Sequence, residues 1–266
     1  MKGKKIFVSL ISILFAFLMA LLSFFAFTLK SVNAVYSAGE NTSEYIDTTL
    51  KEKLNKVCGQ NLLLLDLQTV KNIVEENPYL EVVSIEKQLP NDINVEVKEL
   101  KEVYYLDYNN KTYVLAEDGK VLSEVAFGTR DRMHIALNVG NLTISSIQLG
   151  KKIVTNNNEV LSLAFSLAKN AALTNCIKNM EILTYIDFSA ENGAKIQANV
   201  VFDTYTGVQI KIVEIFKHGE GKTEVAFAFY NANIESTDYY KTFKIISVIL
   251  QDDGVLVPFW DSSVGE

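Results

Sequence analysis

Two cysteines in 266 residues, Cys58 and Cys176, leave no means of building a disulfide framework or a cysteine-based metal site. A single bridge between them and two separate buried thiols both stay open as readings, because free cysteine behaves as a small hydrophobe. Histidine is equally scarce: His134 and His218 have no metal-ligand spacing around them and read as surface or hydrogen-bonded residues. The chain has no Gly-x-Ser-x-Gly elbow, no glycine-rich phosphate loop and no dinucleotide fingerprint, so the enzyme classes built on those motifs find no support. No catalytic residue, cofactor or metal is expected. Carboxylates are numerous enough to keep a paired-carboxylate hydrolase in the inventory. Asp252-Asp253, however, suits a turn, and Glu75-Glu76 a solvated helix face on which neighbouring charges diverge.

What is present begins with a run of 24 uncharged residues, 6–29, behind Lys2, Lys4 and Lys5. As a helix it reaches roughly 36 Å, enough to cross a hydrocarbon core about 30 Å thick. A cleaved signal peptide is the rival, since Val32-Asn33-Ala34 resembles a cleavage site. The length of the run favours an uncleaved anchor, and the lysines before it place the N-terminus in the cytoplasm. The first 30 residues hold four lysines and no acid, so the remainder carries 21 basic and 32 acidic residues, a net charge of −11. Such an exterior disfavours nucleic acid as a partner.

Val32, Ala34, Tyr36 and Ala38 alternate as a short strand ending at Gly39, so the anchor runs straight into the first domain. Thr42 or Ser43 can cap a helix whose apolar face is Ile46, Leu50, Leu54 and Val57, stopped at Gly59. Asp66 can cap a second helix through Leu67, Val70, Ile73 and Val74, ended by Asn77-Pro78. Strands over 80–87 and 92–99 follow around a turn at 89–92, with Ile93, Val95 and Val97 on one face. The order strand, helix, helix, strand, strand is a compact α+β unit with its helices on one sheet face.

From Val103 the texture changes to short strands at 103–108, 112–116 and 121–125 divided by Asn109-Asn110 and Asp118-Gly119, which predicts antiparallel sheet. After a less regular stretch, 156–158 can cap a helix through Ala168. Strands are predicted at 182–188, 196–202, 208–216 and 223–230, with turns at Asn192-Gly193 and 205–207. The spacing then predicts a helix around 239–250, a turn at 252–254 and a last strand over 255–260.

Certain of these stretches carry a family likeness. Gly59-Gln60-Asn61-Leu62-Leu63-Leu64-Leu65-Asp66, then Asn77-Pro78-Tyr79-Leu80, Leu89-Pro90-Asn91 and Ile93-Asn94-Val95-Glu96-Val97-Lys98-Glu99, together with the hairpin over 114–122, resemble the FtsQ/DivIB family of bacterial cell-division proteins. Residues 126–178 carry no family motif. The resemblance implies an α+β chain with one transmembrane helix, a POTRA-type β-α-α-β-β domain and a larger antiparallel β-rich domain containing two helices. The corresponding bounds are a tail at 1–5, the membrane helix at 6–29, POTRA at 31–100, the β domain at 101–262 and a tail at 263–266. It further implies a non-enzymatic scaffold of the divisome in the cell membrane at the septum. That scaffold would join small bitopic coiled-coil partners of the FtsL and FtsB/DivIC type, with other divisome membrane proteins, and would help control septal peptidoglycan synthesis. In the family the last strand receives the partner, which here points to Val255, Val257, Phe259 and Trp260. An exposed edge gains affinity from main-chain hydrogen bonds when a strand adds beside it. Packing of Phe259 and Trp260 against their own domain is the competing expectation. An exported adhesin or ligand-binding module, or a wall hydrolase, is the alternative function.

Overall fold

The structure, a computed structural model, describes residues 2–37, 44–171, 176–188, 193–235, 245–251 and 254–261. It forms two compact units, Met1–Leu100 and Lys101–Glu266.

The first unit opens with helix α1 (Lys2–Ala26), which stops three residues before the apolar run does. Phe27 packs on the interior of the following domain and Leu29 is buried in it, so the end of the run belongs to that core. Among the described residues no helix is long and apolar enough to cross a membrane. The described side chains of α1 are those of residues 10–19, 21, 22, 25 and 26. Strand β1 (Ser31–Tyr36) pairs in parallel with β3 (Asp92–Glu99), and β3 pairs antiparallel with β2 (Leu80–Gln88), giving the order β1-β3-β2. Helix α2 (Glu44–Leu54) tightens into a 3-10 turn at Asn55–Val57, and α3 (Leu67–Glu75) follows. Asp66 caps α3 by accepting from Gln68 N at 3.0 Å, and Asn77 accepts from Tyr79 N at 3.1 Å as the chain leaves the helix. Leu50, Leu54, Val70 and Val74 meet Ile93, Val95 and Val97 in the interior, where burying each aliphatic side chain is worth roughly 1.5–3 kcal/mol. Thr42 and Ser43, the expected caps of α2, lie outside the described residues, as does the side chain of Ile46.

The second unit is a nine-stranded sheet ordered β14-β13-β12-β11-β10-β7-β4-β5-β6. A meander of β4 (Glu102–Tyr108), β5 (Lys111–Ala116) and β6 (Val121–Ala126) forms one flank, turning at Asn109 and Asn110, both at positive φ. Next come β7 (Ile135–Asn138) and a small pair, β8 (Ile144–Ser146) with β9 (Val154–Thr155). Helix α4 (Asn158–Ala171) is held at its start by Asn157, whose side chain accepts from Val160 N at 3.1 Å. The long hairpin β10 (Ile177–Asp187) and β11 (Lys195–Thr204) leads to β12 (Gln209–Ile212), α5 (Gly219–Tyr230), β13 (Ile245–Leu250) and β14 (Leu256–Asp261). Helices α4 and α5 share one core with the sheet, where Tyr104 meets Phe165 at 5.2 Å and Phe202 meets Phe227 at 5.5 Å.

Three expectations are corrected. The sheet is mixed, not antiparallel: β7 runs parallel to both β4 and β10, and β12 parallel to β13. The segment 223–230, read as a strand, is the body of α5. Thr223, Ala226, Phe227 and Tyr230 are buried at helical spacing, and Thr223 Oγ1 donates to Gly219 O one turn back. The segment 239–250, read as a helix, supplies β13 over its last six residues. Ile246 and Val248 are buried in alternation there, and residues 239–244 lie outside the described ones. Among the described residues the second unit holds two α-helices, α4 and α5, the second one earlier in the chain than expected. Cys58 and Cys176 are both thiols, one in each unit.

Candidate functional site

Strand β14 is the last strand of the sheet, and β13 is its one strand neighbour among the described residues. A tight turn delivers it: Gly254 N donates to Gln251 O and Gln251 N donates to Val255 O, both at 2.9 Å. Gly254 sits at φ +83°, a conformation that glycine adopts without cost. Asp252 and Asp253, the rest of the expected turn, lie outside the described residues. The antiparallel register then runs from Leu250 opposite Leu256 to Ile245 opposite Asp261.

Because side chains alternate across a strand, the four candidate residues do not share one surface. Trp260 faces α5 and stacks on Phe229 with ring centroids 5.3 Å apart and planes 14° off parallel. Leu256, on the same side, packs on the core, approaching the helix where Gly221 has no side chain: a Cβ there would lie 2.9 Å from Leu256 Cδ1. Val257 and Phe259 point to the opposite face, where Phe259 is 53% exposed and Ile249 stands beside Val257. Val255 precedes the strand and is exposed. Pro258 sits opposite Val248 and brings no N–H. Ile249 belongs with the apolar surface but had no sequence signal of its own, since its segment read as a helix.

Elsewhere the polar groups hold the scaffold together. His134 lies between two carboxylates, Nδ1 to Asp131 Oδ1 at 2.6 Å and Nε2 to Glu102 Oε2 at 3.2 Å, and stacks on Tyr105 at 4.4 Å. The His134 ring beside Asp131 holds that carboxyl down to about 2, and burial followed by a hydrogen bond to Asp131 pushes the Tyr105 hydroxyl up to about 12. The cluster straps the segment before β7 to β4. His218 is exposed at the start of α5 with φ +55°.

A groove of about 580 Å³ on the sheet contains Asp107, Glu181 and Asp203. Each carboxylate is held by neighbours: Arg130 and Thr112 on Asp107, Asn138 on Glu181, Asn179 and Gln209 on Asp203. The arrangement suits a structural network better than an acid and base facing a shared substrate. Among the described residues no group of three or more His, Cys, Asp or Glu is placed to hold a metal ion.

The family description "POTRA domain, FtsQ-type" matches residues 41–99, the stretch that holds α2, α3 and the β2–β3 hairpin. The chain is similar to "Cell division protein DivIB" of Clostridium tetani, 36% identical over 64 residues, which is 24% of each chain. It is also similar to the protein of that name from Staphylococcus aureus, 34% identical over 86 residues, covering 31% of this chain and 19% of the relative. The matches thus span a quarter or less of these relatives' length. Among solved structures it is similar to the major extracytoplasmic domain of the trans isomer of the bacterial cell division protein DivIB from Geobacillus stearothermophilus. That likeness has 12% identity and a TM-score of 0.31 over 53% of this chain and 98% of the other. The resemblance read from residues 59–99 is borne out by the family description and by the named relatives.

Proposed function

We propose that this chain, a member of the FtsQ/DivIB family of bacterial cell-division proteins, is a non-enzymatic scaffold of the division machinery. Helix α1 is its single anchor in the cell membrane, with the lysine-rich N-terminus in the cytoplasm and the chain that follows the helix outside. The residues within α1 after the lysines, 6–26, are uncharged, and Leu10, Ile13, Leu14, Phe15 and Phe17 are all more than 60% exposed, as lipid-facing side chains would be.

One observation carries the partner reading: a terminal strand with a single strand neighbour among the described residues and an apolar outer face. A partner segment adding beside β14 would take main-chain hydrogen bonds from its outer edge and cover Val257 and Phe259. The partners proposed are the small bitopic coiled-coil division proteins, of the FtsL and FtsB/DivIC type, acting at the septum in the control of peptidoglycan synthesis. Trp260 and Leu256 fix β14 to α5 and so hold the receiving edge rigid, which lowers the entropy lost on binding. Val255 flanks the edge.

The test uses the full-length protein in detergent against purified small bitopic division proteins of the same cell. Phe259→Glu is expected to abolish capture at an unchanged melting temperature. Trp260→Ala is expected to weaken capture and lower the melting temperature together, losing about 1 kcal/mol of ring stacking in addition to burial. Undiminished capture by Phe259→Glu would overturn the assignment of the receiving edge to β14.

A further inference from the structure

Past α1, three leucines of the first unit are exposed although every other leucine there is buried or packed on the core. Leu63 is 50% exposed, Leu64 81% and Leu89 62%. They belong to two loops, the turn after Asn61 and the β2–β3 turn, and both loops are bonded to the end of α1. Leu62 N donates to Phe27 O at 2.7 Å and Leu29 N to Gln60 O at 2.8 Å. Asn91 Nδ2 donates to Ala26 O and to Thr28 O, each at 3.1 Å, and Lys30 N donates to Asn91 O at 2.7 Å. Each exposed leucine is one or two residues from one of these bonds, within roughly 7 Å of chain.

We propose that Leu63, Leu64 and Leu89 insert into the outer leaflet of the bilayer, seating the POTRA unit on the lipid surface. The inference rests on reading α1 as the membrane anchor. The uncharged part of α1, residues 6–26, spans about 32 Å as a helix, close to the ~30 Å hydrocarbon thickness, so Ala26 stands at the hydrocarbon boundary. Since Phe27 and Leu29 already belong to the domain interior, no linker lifts the two loops away from that boundary. Their apolar tips continue the lipid-facing surface of α1 at the depth where the chain leaves the hydrocarbon.

The polar features of these loops fit the same surface. The backbone of the leucine turn is satisfied locally, with Leu63 N and Leu64 N donating to Asn61 Oδ1 at 3.0 and 3.3 Å, so the tip carries apolar side chains without orphaned amides at these positions. Lys87 Nζ donates to Leu63 O and Leu65 O, placing a cation beside the leucines, and Lys30 is exposed next to Asn91. Cations at that level meet anionic headgroups, as interfacial lysines do.

The test places a single environment-sensitive fluorophore on the full-length protein in phosphatidylcholine vesicles containing phosphatidylglycerol. Cysteines are introduced singly at Leu14, Leu64, Leu89 and Val83 in a background with Cys58→Ser and Cys176→Ala. Val83 is the reference: an exposed apolar residue on β2, five residues before Gln88. Lipids carrying a doxyl quencher near the headgroup are expected to remove most of the emission at positions 64 and 89 and leave position 83 bright. Deeply doxyl-labelled lipids are expected to quench position 14. Quenching at 14 with none at 64 and 89 would overturn the seating while the anchor stands. No quenching at 14 would overturn the anchor and the seating with it. Blue-shifted emission at 64 and 89 without lipid quenching would assign these leucines to a protein neighbour and overturn the proposal. A Leu64→Ser, Leu89→Ser double variant, labelled at position 35, serves as a check on folding that does not depend on the tips.

Discussion

Each unit of the chain contains a short strand that joins its sheet in parallel, and the two are secured in different ways. In the first unit that strand is β1, at the edge, paired with β3, whose Ile93, Val95 and Val97 are buried. In the second it is β7, four residues long and inside the sheet between β4 and β10. An edge strand needs one partner and tolerates a weak flank. An interior strand of four residues leaves its neighbours unpaired beyond its own end, and here side chains make up the deficit. Past the end of β7, the Asn141 carboxamide pairs with the backbone of Thr184 on β10, accepting from its N at 2.8 Å and donating to its O at 2.6 Å, as another strand residue would. Gly140 lets that segment approach so closely that a Cβ would stand 1.9 Å from Ile182 O. Before β7, His134 bridges Asp131 and Glu102. A parallel strand inside a sheet is thus bought with polar contacts to both neighbouring strands, whereas β1 at the edge needs only β3: Ser31 Oγ donates to Asp92 Oδ1, Ser37 Oγ donates to Glu96 Oε1, and Val32 is buried in the core.

Four experiments can break or sharpen that contrast. The largest effect is expected for Gly140→Ala, which combines a backbone clash with a φ of +59° and should cost about 4 kcal/mol. Hydrogen exchange reads it directly: amides of β7 and β10 lose protection, with β2 and β3 as the internal reference. Retained protection at β7 would mean that the close approach is dispensable. Next comes Leu54→Ala in the first unit, where the side chain is fully buried and its removal should cost about 3 kcal/mol, measured by denaturant unfolding. Asn141→Ala should cost about 1 kcal/mol, because the carboxamide is exposed and water replaces part of what is lost. Its effect should fall on exchange at Thr184 and leave the first unit's sheet unchanged.

The smallest effect concerns acid. The folded carboxyl of Asp131 is held down to about 2 by His134, and that of Asp107 is lowered chiefly by Arg130. A carboxyl depressed on folding lends its full stabilisation above the ordinary value near 3.8 and loses it as pH falls towards the folded value. The second unit's melting temperature should therefore fall between about pH 4 and pH 2, and less steeply in Asp131→Asn. An equal slope in the variant would remove Asp131 from the strap that holds β7.

The same contrast explains what could be read from the chain alone. In the first unit each element announces itself locally: Asp66 caps α3, and Ile93, Val95 and Val97 alternate in a strand with one buried face. In the second, β7 was invisible because Ile135–Asn138 is too short to show a period, and its place in the sheet is set by residues far along the chain. The exchange of strand and helix near the C-terminus has a related cause. The segment 223–230 is rich in aromatic and small residues and is buried by both sheet and α4, so its helical face is nearly lost in an apolar background. Residues 245–250 form an interior strand, whose continuous apolar run cannot be told from a buried helix by periodicity. The candidate edge was legible as a last strand, with its start displaced by one residue, because turn and strand signals coincide there. Its division into a helix-facing Trp260 and an outward Phe259 required the register with β13.

The Asn91 carboxamide, bonded to Ala26 O and Thr28 O, also has a mechanical meaning. With Leu62 N on Phe27 O and Lys30 N on Asn91 O, the four residues between helix and strand have no freedom to swivel. A tether would let the first domain tumble beneath a fixed helix. This junction behaves as a welded shaft: a rotation or tilt of α1 is delivered undiminished to the β1-β3-β2 sheet, and force arriving at that sheet is felt as torque on the helix.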